Sequence, residues 1–123
     1  MQKRNQAFRK LLEMQREFVR AREWERFHTP KNLAMALAGE AGELLEIFQW
    51  LTAEESYDVP KDKKKLTALQ HEIADIFYYL MRLADVLGVD MEKAFLDKMK
   101  ENARKYPVKL SKGTAKKYTE LST

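Results

Sequence analysis

Apolar residues recur at three- and four-residue intervals along most of the chain, the spacing that gathers them on one side of an α-helix. The pattern predicts four helices, over roughly 3–26, 30–53, 62–87 and 90–105. Punctuation agrees with it. Thr29 reads as an N-cap followed by Pro30 at the first helical position. Pro60 precedes a lysine-rich start, Gly88 closes a long run, and Asp90 reads as the next N-cap. Pro107 ends the last regular segment. No stretch alternates as a strand does, so the fold class is all-α. Residues 1–106 read as one helical domain and 107–123 as a basic C-terminal arm.

The acidic residues depart from the simple amphipathic picture. On the second predicted helix, Leu33, Leu37, Leu44, Phe48 and Leu51 share a stripe, with Glu40 beside it and Glu43 a little further round. Glu46 falls nearly opposite. On the third, the stripe is Leu69, Ile73, Ile76, Leu80, Leu83 and Leu87, flanked in the same way by Glu72 and Asp75. The two segments also match one another, each reading Ala-Leu-x-x-Glu-x-x-acid from Ala36 and from Ala68. A solvated acid ordinarily sits opposite the core face. Four acids at the margins of two core stripes converge if the helices pack together, and converging carboxylates repel. A divalent cation removes that conflict, and oxygen-only ligands favour Mg²⁺, Mn²⁺ or Ca²⁺ over zinc. The alternative is a set of surface acids paired along their own helices. Gly39 and Gly42 bracket Glu40, and each costs about 1 kcal/mol relative to alanine inside a helix. Close approach of another helix or a ligand would explain them.

Composition narrows the classes. The 123 residues are 45% apolar and 34% charged, which suits one folded domain and argues against disorder. There is no cysteine, so disulfides, thiolate zinc sites and a cysteine nucleophile are excluded, in keeping with a reducing cytoplasm. The net charge is +4, but four lysines against one glutamate in the arm supply +3 of it. The basicity is therefore a property of the tail and weak support for a nucleic-acid binder. The longest stretch free of Asp, Glu, Lys and Arg runs only from Asn32 to Gly39, far short of the ~20 residues of a membrane span. The amino-terminal residues lack the apolar run of a secretion signal, and the expectation is a soluble cytoplasmic protein.

Glu40-x-x-Glu43, followed after 28 residues by Glu72-x-x-Asp75, resembles the signature of the MazG-like all-α nucleoside triphosphate pyrophosphatases. The segment from Trp24 to Leu33 resembles the dCTP pyrophosphatase branch. So do Gly39 to Leu44 running into Phe48-Gln49-Trp50, then Lys98-Met99, Asn102, Tyr106-Pro107-Val108 and Lys117 to Leu121. The resemblance covers about residues 8–121. It implies a four-helix MazG-like bundle completed by homo-oligomerisation, commonly as a tetramer. It also implies Mg²⁺-dependent hydrolysis of a deoxynucleoside triphosphate, dCTP or a modified dCTP, to the monophosphate and pyrophosphate. By the same resemblance Glu40, Glu43, Glu72 and Asp75 hold magnesium, or manganese in its place. Lys98 and Asn102 contact phosphates, and Trp24, His28, Asn32, Trp50 and Tyr79 line the nucleoside pocket. One departure stands out: Gln15 occupies a position near the base pocket where a histidine is expected in eukaryotic members, which bears on base preference.

The residues suit the chemistry. Carboxylates can hold the metal, and one, assigned to Glu43, can take the proton of the attacking water. Lys98 and Asn102 lie four apart and so share a helical face. No Gly-x-x-x-x-Gly-Lys loop occurs, which excludes a P-loop enzyme. A di-iron bundle would need Glu-x-x-His, and no histidine stands three residues after these acids. Two rivals remain: a helical interaction protein, which would tolerate loss of the acids, and nucleic-acid binding through the lysine tail, which would show a steep salt dependence. Phe77, Tyr78, Met81 and Ala84 cover much of the third helix away from the acids, so a partner subunit is expected to cover that side.

Overall fold

A computed structural model describes residues 2–122, with side chains from Gln6 onward. Among the described residues six α-helices follow one another: α1 (Gln2–Ala21), α2 (Pro30–Phe48), α3 (Ala53–Ser56), α4 (Lys63–Val86), α5 (Met91–Lys105) and α6 (Val108–Ser111). Short 3-10 turns cover Glu25–Phe27, Val59–Lys61 and Tyr118–Glu120. No strand occurs among the described residues, and no helix there is long and apolar enough to cross a membrane. The chain divides into two compact units, Met1–Gly88 and Val89–Thr123.

The predicted start signals act as read. Thr29 Oγ1 accepts the backbone N–H of Asn32 with Pro30 in the first turn, and Asp90 accepts that of Lys93. Gly88 ends α4 at φ 69°, a conformation glycine adopts without steric cost. Two ends come earlier than the periodicity suggests. At the end of α1, Trp24 N–H returns to Val19 O and Glu23 N–H to Arg20 O, with Glu23 left-handed at φ 53°. That closure stops the helix at Ala21 and turns Trp24 back toward it. At the end of α2, Thr52 and Glu55 form a reciprocal capping box that starts α3, so the second predicted helix breaks after Phe48.

In the first unit α2 packs along α4, while α1 is tied to α4 by polar contacts. Gln15 Nε2 donates to Tyr78 O at 2.7 Å, and Arg16 grips Asp85. Among the described residues Val19, Leu33, Val59 and Met81 are the buried apolar ones. The buried face of α4 differs from the predicted stripe. Leu69, Ile76 and Leu83 are half-buried, but Ile73, Leu80 and Leu87 are exposed, Ile73 by 54%. The helix is rotated toward Glu72 and Tyr79, which are half-buried. Rotation takes Glu72 partly out of water and leaves an exposed apolar ridge alongside the buried face.

Candidate active site

Glu40, Glu43 and Glu72 converge: one carboxylate oxygen from each lies within 4.8 Å of the others. Two come from α2, one turn apart, and the third from α4, so the α2–α4 packing assembles the cluster. Glu43 is exposed, whereas Glu40 and Glu72 are half-buried. The Oε2 atoms of Glu40 and Glu72 are buried, and among the described residues no donor reaches either. Buried acceptors without donors cost on the order of 1–3 kcal/mol each. Proton sharing with Glu72, burial and the neighbouring Glu43 push the Glu40 carboxyl up to about 7. Carboxylate oxygens gathered this closely with no N–H reaching the buried pair form, once the shared proton has left, a donor set for a hard divalent cation, so the residues fit the ion.

The other expected ligand, Asp75, lies outside this three-carboxylate cluster, exposed and three residues beyond Glu72 on α4. Gly39 and Gly42 are on the same helix as Glu40, and a Cβ built on either meets nothing within 4 Å. Among the described residues, therefore, nothing approaches closely enough to require them.

Several expected nucleoside-binding residues are joined by an aromatic run. Trp24 meets His28 at 6.3 Å between ring centres and Phe18 at 5.8 Å, both edge to face. Phe18 meets Tyr78 at 6.3 Å, and Tyr78 meets Tyr79 at 5.2 Å. The early end of α1 produces this run, because the Glu23 turn folds Trp24 onto Phe18. The sequence does not single out the linking rings Phe18 and Tyr78 for the site; Tyr78 and Met81, expected under a partner subunit, are instead half-buried and 4% exposed within the chain itself, because packing of separate elements covers them. Arg82 was also missed: its Nε donates to His28 Nδ1 at 3.0 Å. Burial, then the Arg82 charge, lower the His28 pKa, against a smaller opposing effect of Glu25.

Asn32 is committed to its own turn, its Nδ2 donating to Phe27 O at 3.1 Å. Trp50 follows α2 and is 86% exposed. Lys98 and Asn102 lie one turn apart on α5, in the second unit.

The MazG-like family pattern matches residues 36–121, most of the chain. This chain belongs to the MazG-like family. Among MazG-like relatives, it is 50% identical to bovine dCTP pyrophosphatase 1 and 46% identical to the human protein, over 105 residues that make up 85% of this chain. The chain spans about 62% of the length of those curated relatives. It is also similar to the crystal structure of a pyrophosphatase from Archaeoglobus fulgidus, with a TM-score of 0.76 at 41% identity. That match covers 82% of this chain and 93% of the archaeal one.

Proposed function

We propose that this MazG-like protein hydrolyses a deoxynucleoside triphosphate, dCTP or a modified dCTP, to the monophosphate and pyrophosphate with magnesium as cofactor. The observation that carries the reading is the convergence of Glu40, Glu43 and Glu72 with two buried oxygens that have no donor. The names of its relatives, dCTP pyrophosphatase 1 and an archaeal pyrophosphatase, supply the reaction class and the base.

On this reading Glu40, Glu43 and Glu72 hold magnesium, with Asp75 as a fourth ligand and manganese as the substitute ion. The bound ion would offset phosphate charge and acidify the attacking water. Glu43, open to solvent, takes the water proton as the water oxygen attacks the α-phosphorus and pyrophosphate leaves. Lys98 and Asn102 contact phosphates. Trp24, His28, Trp50 and Tyr79 bound the nucleoside, and Asn32 offers it the side-chain oxygen and its second amide N–H. The exposed ridge of Ile73, Phe77, Leu80 and Leu87 supports a homo-oligomer, which we assign as a tetramer. The cellular role would be removal of unwanted nucleotides in the cytoplasm, for which the absence of cysteine is suitable.

The deciding experiment is pyrophosphate release from a panel of deoxy- and ribonucleoside triphosphates, in Mg²⁺ and then in EDTA. Mg²⁺-dependent release fastest with dCTP or a 5-substituted dCTP is expected. Glu40→Gln and Glu72→Gln should abolish it with the helical content unchanged, and Asp75→Asn tests the fourth ligand. No release from any triphosphate by folded protein would refute the activity.

A further inference from the structure

The structure assigns to Arg82 a positioning role: its Nε–H fixes His28 as the tautomer whose proton sits on Nε2, leaving that N–H as the donor offered to a ligand. The use of that donor rests on the nucleotide reading above; the tautomer itself does not.

An arginine N–H only donates, and the group stays protonated at any pH a protein experiences. Arg82 Nε meets His28 Nδ1 at 3.0 Å, so Nδ1 must present a lone pair. A neutral imidazole then carries its single proton on Nε2. Protonating Nδ1 would set donor against donor and cation against cation. Burial and the Arg82 charge both work in the same direction, holding His28 neutral against the weaker pull of Glu25.

Arg82 is itself held. It is 8% exposed, and its Nη1 lies 3.5 Å from Asp85 Oδ2. Both Asp85 oxygens are also taken by Arg16, through Nε at 2.9 Å and Nη2 at 2.7 Å. A ladder of Arg16, Asp85, Arg82 and His28 thus runs from α1 through α4 to the loop before α2. The other restraint on the ring is Trp24, edge to face at 6.3 Å. With Nδ1 occupied and the indole packed beside it, the ring has one polar atom left. That atom suits a carbonyl or ring-nitrogen acceptor, such as those on the edge of a pyrimidine.

Side-chain topology provides a discriminating test. Glutamine carries its amide nitrogen at the same bond count from Cα as arginine Nε, so Arg82→Gln keeps the donor and loses the charge. Arg82→Lys keeps the charge and puts a methylene there. Arg82→Met removes both. Long-range ¹H–¹⁵N spectra of the wild-type chain in EDTA near neutral pH should show His28 protonated at Nε2 and bare at Nδ1. Arg82→Gln should preserve that pattern, and Arg82→Lys and Arg82→Met should show mixed tautomers. With dCTP and Mg²⁺, Arg82→Lys and Arg82→Met should raise KM roughly tenfold with kcat within about twofold, the mark of lost ground-state binding. Arg82→Gln should stay near the wild-type KM. A wild-type His28 protonated at Nδ1 overturns the assignment, as does a series in which lysine rescues and glutamine does not. A protein that turns over no triphosphate but shows the expected tautomer pattern supports the role of Arg82 and refutes the proposed activity instead.

Discussion

Replacing Glu40 by glutamine should stabilise the metal-free protein while removing its response to magnesium. The ordinary value for this carboxyl is 4.5, and proton sharing with Glu72, burial and Glu43 bring it to about 7 in the fold. Between those values the folded state binds more protons than the unfolded state, so stability falls as pH rises. The displacement corresponds to about 3 kcal/mol at full strength. Glu43 is open to water and counterions, and solvent screening reduces the expectation to about 1 kcal/mol. In EDTA, the wild-type chain should therefore lose about 1 kcal/mol between mildly acidic pH and a pH above neutral, roughly 4 °C in Tm. Glu40→Gln should show no such loss and be the more stable of the two at the higher pH. Added Mg²⁺ should restore the wild-type Tm there by binding only the folded cluster, and leave the variant nearly unchanged. Thermal unfolding followed by circular dichroism, on both proteins in EDTA and in Mg²⁺, reads all four arms. A variant less stable than wild type at the higher pH in EDTA, or one that gains as much from Mg²⁺, would refute the carboxylate-repulsion argument.

Four further outcomes rest on local geometry. Asp85 is held below the ordinary carboxylate value by the Arg16 hydrogen bonds and the charges of Arg16 and Arg82. Its contribution is complete above the unfolded value near 3.8 and lost as pH falls through the lower folded value, so Asp85→Asn should flatten that acid limb in a pH series of urea melts. The same substitution should cost about 2–3 kcal/mol at neutral pH, because it weakens the hold on a buried Arg82; a cost near zero would contradict the ladder. Glu23 is left-handed at φ 53°, so Glu23→Gly should raise stability by about 0.5–1 kcal/mol in chemical denaturation. Magnesium binding should release protons near neutral pH, read by calorimetry in buffers of different ionisation enthalpy, since the ion displaces the proton that Glu40 shares with Glu72.

Helix identity, the Thr29 and Asp90 caps, the stop at Gly88 and the placement of Glu40, Glu43 and Glu72 beside apolar stripes were all determined by the sequence itself. Each depends on a residue's own preferences and on a helical repeat that no distant contact alters. The same repeat cannot set how far a helix is turned about its axis when it packs. Tertiary structure decided that α4 buries Leu69, Ile76 and Glu72 while exposing Ile73, Leu80 and Leu87. It also decided that three of the four expected ligands meet and that Asp75 stays at the margin. The turn at Glu23 and the capping box at Thr52 cut two helices short, because side-chain and backbone bonds a few residues apart outweighed a continuing apolar period. Arg82 at His28 and Phe18 between Trp24 and Tyr78 join α4 to elements 54 or more positions away in the chain. Contacts of that range come from packing, and no local spacing encodes them.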